Sequence, residues 1–210
     1  MTLKSFSSFV GIAALAVASA SCGDFVQDSG RAPAQVIVQK LEGAQGNTPD
    51  ELGNPLVSDV ETAVTTPDPC STTAPCHTVF NDIGEATMSL ILKDPGQTGV
   101  VSKPSDLNAV TLTRYRVEYT RADGRNTPGV DVPFPIDSAV TFTIPAEGSV
   151  AVPFELVRNT AKREAPLRNL LGGSLVLSTI AKVTFFGHDQ AGNDVAVSAS
   201  MGVNFGDFLP

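Results

Sequence analysis

Between Val110 and Thr120 the side chains change character at every step. Thr111, Thr113, Tyr115, Val117 and Tyr119 share one parity, and Arg114, Arg116 and Glu118 share the other. A repeat of two belongs to an extended strand with one face on a core and the other in water, because successive side chains of a strand point to opposite sides. The same repeat returns through the second half of the chain. Val140, Phe142 and Ile144 alternate with Thr141 and Thr143, and after Glu147-Gly148 come Val150, Val152, Phe154 and Leu156 in step. This close spacing predicts a hairpin. Val195, Val197, Ala199, Met201, Val203 and Phe205 alternate with small or polar residues up to Asn204. Residues 86–92 form a further strand. Residues 174–186 form another, apolar on both faces as in the middle of a sheet.

Counting a weak strand around Val36 and Val38, seven short strands are separated by turn signals, with no long stretch of helical periodicity. That pattern predicts an all-β fold, an antiparallel two-sheet immunoglobulin-like sandwich of about seven strands. Tyr115, Val117, Phe142, Phe154, Val183, Phe185, Val197 and Val203 are its expected core. Between Arg158 and Leu171 the alternation breaks, and Lys162-Arg163-Glu164 with Leu167, Leu170 and Leu171 predicts a crossover holding a short helical turn. Residues 43–76 carry Pro49, Pro55, Pro67, Pro69 and Pro75 among Gly, Asn, Asp and Thr, a composition that reads as loop. The expected organisation is a signal segment over 1–21, a tether over 22–77 with one short strand and a disulfide loop, and the β domain over 78–210.

The first residues read as an export signal: Lys4, an apolar run from Phe9 to Ala18, and small residues leading to Cys22. The run is shorter than the roughly twenty residues that a membrane-spanning helix needs. Ala18-Ser19-Ala20 fits ordinary cleavage before Ser21. Ser19-Ala20-Ser21-Cys22 resembles the signal of bacterial lipoproteins, with Ser19 where that family usually has Leu. The resemblance implies a lipid on Cys22 and attachment to a membrane of the cell envelope. Cysteine parity agrees, because the chain has three cysteines and lipid on Cys22 leaves Cys70 and Cys76 as one pair. In an oxidising compartment that pair closes the loop Ser71-Thr72-Thr73-Ala74-Pro75, worth roughly 2 kcal/mol by chain entropy. A structural zinc site takes about four Cys or His ligands, and only His77 and His188 remain, so no metal or cofactor is expected.

Near the C-terminus, Gly187-His188-Asp189-Gln190-Ala191-Gly192-Asn193 resembles the A-x-D-x-A-G-N turn that closes the last hairpin of bacterial immunoglobulin-like and fibronectin-type-III-like domains. Gly187 stands where the motif usually has alanine. Asp bonds its own following backbone in such a turn, and Gly and Asn accept positive φ. An alternative reading, a Ca²⁺ site on Asp189, Asn193 and Asp194, lacks the spacing of an EF-hand. Family resemblance of this kind implies spacers, adhesion modules or assembly parts.

Catalytic signatures are missing from the text. There is no G-x-S-x-G, because Gly172-Gly173-Ser174-Leu175 lacks the second glycine, and no phosphate-binding G-x-x-x-x-G-K-[ST]. Glu118, Glu147, Glu155, Asp131 and Asp137 read as solvent-face or turn residues. The formal charge is -8, and removing residues 1–21 takes away Lys4 and no acid, giving -9. Such a surface repels nucleic acid. The expected function is therefore a non-enzymatic envelope lipoprotein whose β domain binds a protein partner, adheres or supports assembly. Its candidate surface is Arg114, Arg116 and Glu118. The alternative is an exported hydrolase accessory or carbohydrate-binding module, disfavoured because the chain has no tryptophan.

Overall fold

The computed structural model describes residues 31–94, 96–97 and 100–208, so the signal segment and Cys22 lie outside the described residues. Twelve strands are present among the described residues: β1 (Ala34–Ala44), β2 (Leu56–Asp59), β3 (Thr62–Val64), β4 (Cys76–Thr78), β5 (Asp82–Leu92), β6 (Gly96–Gln97), β7 (Val100–Val101), β8 (Val110–Thr120), β9 (Ile136–Ile144), β10 (Ser149–Val157), β11 (Leu177–Asp189) and β12 (Asp194–Gly206). Helix among the described residues is limited to one turn, α1 (Asn159–Lys162), and two 3-10 turns, Asp106–Asn108 and Leu167–Leu170. A three-stranded sheet runs β1-β5-β10, and a five-stranded sheet runs β2-β12-β11-β8-β9. Every pairing in them is antiparallel except β2 with β12.

Apolar side chains from both sheets meet in one buried cluster. Its centre is aromatic: the Tyr115 and Phe154 rings lie 5.4 Å apart, and Phe154 meets Phe185 edge-on at 5.4 Å. Phe154 also lies over Gly84, its register partner in β5, where a Cβ would sit 2.3 Å from the ring. Six of the eight expected core residues are buried, while Phe142 and Val197 are partly buried against the cluster.

Four sequence expectations are corrected. Residues 140–144 and 150–156 belong to β9 and β10, but these strands are not a hairpin: β9 pairs with β8 and β10 with β5. The chain passes from one sheet to the other between Ile144 and Ser149. Alternation reveals that a strand is half-buried, not which neighbour it takes. In β8 the inward face begins with Val110 and Leu112, not Thr111 and Thr113, because the register shifts between Leu112 and Arg114. After this bulge Tyr115, Val117 and Tyr119 point inward as expected. The strand expected over 174–186 begins at Leu177 and has one buried face, with Phe185 in the core and Ile180 exposed.

The segment expected to be tether is also more ordered than its prolines suggest. β1 pairs with β5 along its length, interrupted by a register shift between Val38 and Lys40, and β2 adds a short edge beside β12. Leu41, Leu56 and Val60 thereby join the core. The break in β1 masks its alternation beyond Val38, which is why it reads as a short strand. Cys70 and Cys76 are bonded, with Cα atoms 5.2 Å apart, and the loop they close leads directly into β4.

The crossover after β10 has the expected short helical turn and is tied down by a buried ion pair. Lys162 Nζ lies 2.8 Å from Asp82 Oδ1, with the two side chains 2% and 1% exposed. Ser58 Oγ donates to Asp82 Oδ2 at 2.5 Å and the Gly46 N–H to Oδ1 at 3.3 Å. Burial pushes the Asp82 carboxyl up, and Lys162, Ser58 and Gly46 pull against that shift. A cation removed from such a pair leaves an uncompensated buried charge. Lys162→Met should therefore cost about 3 to 5 kcal/mol in urea unfolding at neutral pH, and Lys162→Met with Asp82→Leu should recover most of it. A single-variant loss below about 1 kcal/mol would contradict this role.

Candidate functional site

The shift at Leu112–Arg114 decides what the outer face of the five-stranded sheet carries. Beyond it, Arg114, Arg116 and Glu118 point away from the core, as the sequence predicts. The structure joins them into a ladder through Asp137 of β9. Arg114 donates from Nε and Nη2 to the two Asp137 oxygens at 2.6 and 2.7 Å, a bidentate fork. Its guanidinium carbon also lies 4.8 Å from the ring centroid of Phe186 on β11. Arg116 reaches Glu118 at 2.9 Å and Asp137 at 3.8 Å. Asp137, which reads from the sequence as a solvent-face or turn residue, thus holds two arginines.

A groove of about 420 Å³ adjoins this ladder. One wall is the sheet, with Arg116, Glu118, Ile180 and Lys182; the other is the loop between β8 and β9, with Pro128, Pro133 and Pro135. The loop is held by its own charges. Asp123 accepts from the side chains of Arg121 and Arg125, and the Arg121 side chain leads in holding its carboxyl down to about 2. Asn126 Oδ1 accepts the Arg121 N–H at 2.6 Å. Lys182 forms no ion pair with any described residue. Neither Lys182 nor Ile180 was singled out from the sequence, because an apolar or cationic residue in an alternating strand shows its parity only once the register is known.

The remaining candidates are accounted for locally. Tyr115 and Tyr119 are buried, with their hydroxyls donating to the carbonyls of Glu155 and Leu156. Asp189 is committed to its own turn: Oδ1 accepts from the N–H groups of Ala191 and Asn193, and Oδ2 from Asn193 Nδ2 at 2.8 Å. Burial raises its carboxyl, and these bonds outweigh burial and hold it below the ordinary range. This is the turn geometry expected from the sequence. His188 stands opposite Asp194 in the β11–β12 register, and His77 Nδ1 lies 3.4 Å from Glu61 Oε2. Among the described residues no three His, Cys, Asp or Glu side chains are grouped to hold a metal ion, and no helix is long and apolar enough to cross a membrane.

Comparison with protein-family models, with curated proteins and with solved structures found no match to this chain.

The Arg114 fork gives the ladder a pH signature. Its hydrogen bonds lead in holding the Asp137 carboxyl below its ordinary value of 3.8. A carboxyl depressed in the folded state stabilises fully above the unfolded value and loses that contribution as pH falls through the folded value. An NMR titration should place the Asp137 midpoint below 3.8, and Arg114→Gln should move it upward. An unmoved midpoint would show that the fork does not persist in solution.

Proposed function

We propose that this chain is a non-enzymatic, lipid-anchored protein of the bacterial cell envelope whose domain is an immunoglobulin-like two-sheet sandwich that binds a protein partner. Strand order supports the architecture. β1, β5 and β10 take the places of strands A, B and E, while β8, β11 and β12 take those of C, F and G, with β9 beside C. The single core shared by the two sheets supports it as well.

The observation that carries the binding reading is the groove beside the ladder. Ile180 is 46% exposed there, and Lys182 stands next to it on the same face of β11 without an ion partner among the described residues. Prolines on the opposite wall offer a stiff apolar border. The partner segment that fits is a peptide stretch with an acidic side chain for Lys182 and an apolar one for Ile180. Carbohydrate recognition is less well served, because both tyrosines face the core.

Site-specific photo-crosslinking in native membranes tests this. A photoreactive residue at Ile180 should yield one discrete conjugate, and the same probe at exposed Ile91 on the three-stranded sheet should not. Adding Lys182→Gln should weaken the conjugate markedly while leaving the melting temperature unchanged, since the side chain is exposed and the change puts no like charge opposite Glu118. No conjugate from Ile180, or the same one from Ile91, would defeat the reading.

The anchor is tested separately by intact mass. The mature chain should begin at Cys22 and carry acyl mass. A chain beginning at Ser21 with an unmodified thiol would remove the anchor from the proposal.

A further inference from the structure

On this acidic chain the arginines are mostly neutralised. Arg114, Arg116, Arg121, Arg125 and Arg158 each have a carboxylate within salt-bridge distance. Arg163 and Arg168 are both exposed and form no ion pair with any described residue. Both line a single cleft of about 380 Å³ between the crossover and the β3–β4 hairpin, and it shares no residue with the groove on the five-stranded sheet. Val60, Val79 and Leu171 supply an apolar wall.

We propose that this cleft binds a small organic oxyanion, a carboxylate or phosphate monoester carried on a short apolar stem. A guanidinium offers a fixed fork of donors that matches either head group. The charges nearby leave that role to the two arginines. Lys162 also borders the cleft, but its ammonium is held by Asp82. Glu61 also lines the cleft, with its carboxylate 3.4 Å from His77 Nδ1. Glu164, the neighbour of Arg163 in the chain, does not line the cleft.

Both walls are tied into the rest of the fold. The hairpin wall follows the Cys70–Cys76 bond, and the crossover wall is fastened by the buried Lys162–Asp82 pair and by Leu167 in the core. The volume falls within the few hundred Å³ typical of small-molecule sites. An anion entering here meets cations that have no ion partner among the described residues to give up.

Titration of the purified protein by amide NMR tests the proposal with three probes: n-butyl phosphate, butyrate and n-butanol. At least one of the two oxyanions should shift the amides of residues 77–79 and 162–171 saturably, and the neutral alcohol should not. The oxyanion that binds more tightly identifies the head group. Arg163→Gln with Arg168→Gln should weaken binding at least about tenfold, the loss expected for charged hydrogen bonds. The unfolding midpoint should stay unchanged, since both side chains are exposed. Absence of saturable shifts with both oxyanions, equal shifts in the double variant, or equal shifts with n-butanol would overturn the proposal.

Discussion

A backbone contact sets the register of the five-stranded sheet. Gly187 on β11 faces the main chain of Thr111 and Leu112 so closely that a Cβ there would lie 2.1 Å from the Thr111 carbonyl oxygen. Here β8 carries its bulge, and the alternation of β8 is reset between Leu112 and Arg114. Before the bulge Val110 and Leu112 fill the core; after it Tyr115, Val117 and Tyr119 do. Without the shift one of these two sets would face solvent, because a one-residue slip moves every side chain to the other face. The contact also explains why glycine stands where the hairpin motif usually has alanine. Close approach of two backbones is a recurrent reason for glycine inside a strand.

The same contact aligns the outer face. Once β8 is reset, Arg114 comes within reach of Asp137 on β9 and of the Phe186 ring on β11, and Arg116 bridges Asp137 and Glu118. These pairs are solvent-exposed and contribute little stability. What they supply is orientation: each charge on the rim of the groove is held in place, and Lys182 is left as the cation available to a partner. Core packing and surface chemistry thus follow from one local irregularity in one strand.

How much of this was legible in the sequence depends on the length scale of the interaction. Period-two alternation located β8, β9, β10 and β12 to within a few residues and put Phe154 and Phe185 in the core. It also set Arg114, Arg116 and Glu118 on a polar face. Partner choice was not legible, since β9 and β10 look like hairpin neighbours and yet pair with β8 and β5. Nor was the bulge, because it depends on a glycine more than seventy positions away. Asp82 and Lys162 are separated by 80 residues, and neither position announces burial. The groove was missed for the same reason: its second wall is a loop held by Asp123 and Asn126, whose bonds appear only when the chain is folded.

The two charged surfaces differ in a way that bears on what each can recognise. On the sheet face the arginines already hold carboxylates, so a new anion must compete with Asp137 and Glu118 for the same donors. Exchange of one exposed pair for another gains little, and specificity there falls to shape, to Ile180 and to Lys182, which has no ion pair among the described residues. In the crossover cleft the arginines hold nothing among the described residues, and the one buried cation beside them is neutralised from within by Asp82. That internal neutralisation keeps the base of the cleft from acting as a second anion trap. Recognition is left to two guanidinium groups carried on walls tied to a disulfide and a buried ion pair, so the ordering that opposes binding is that of the two arginine side chains.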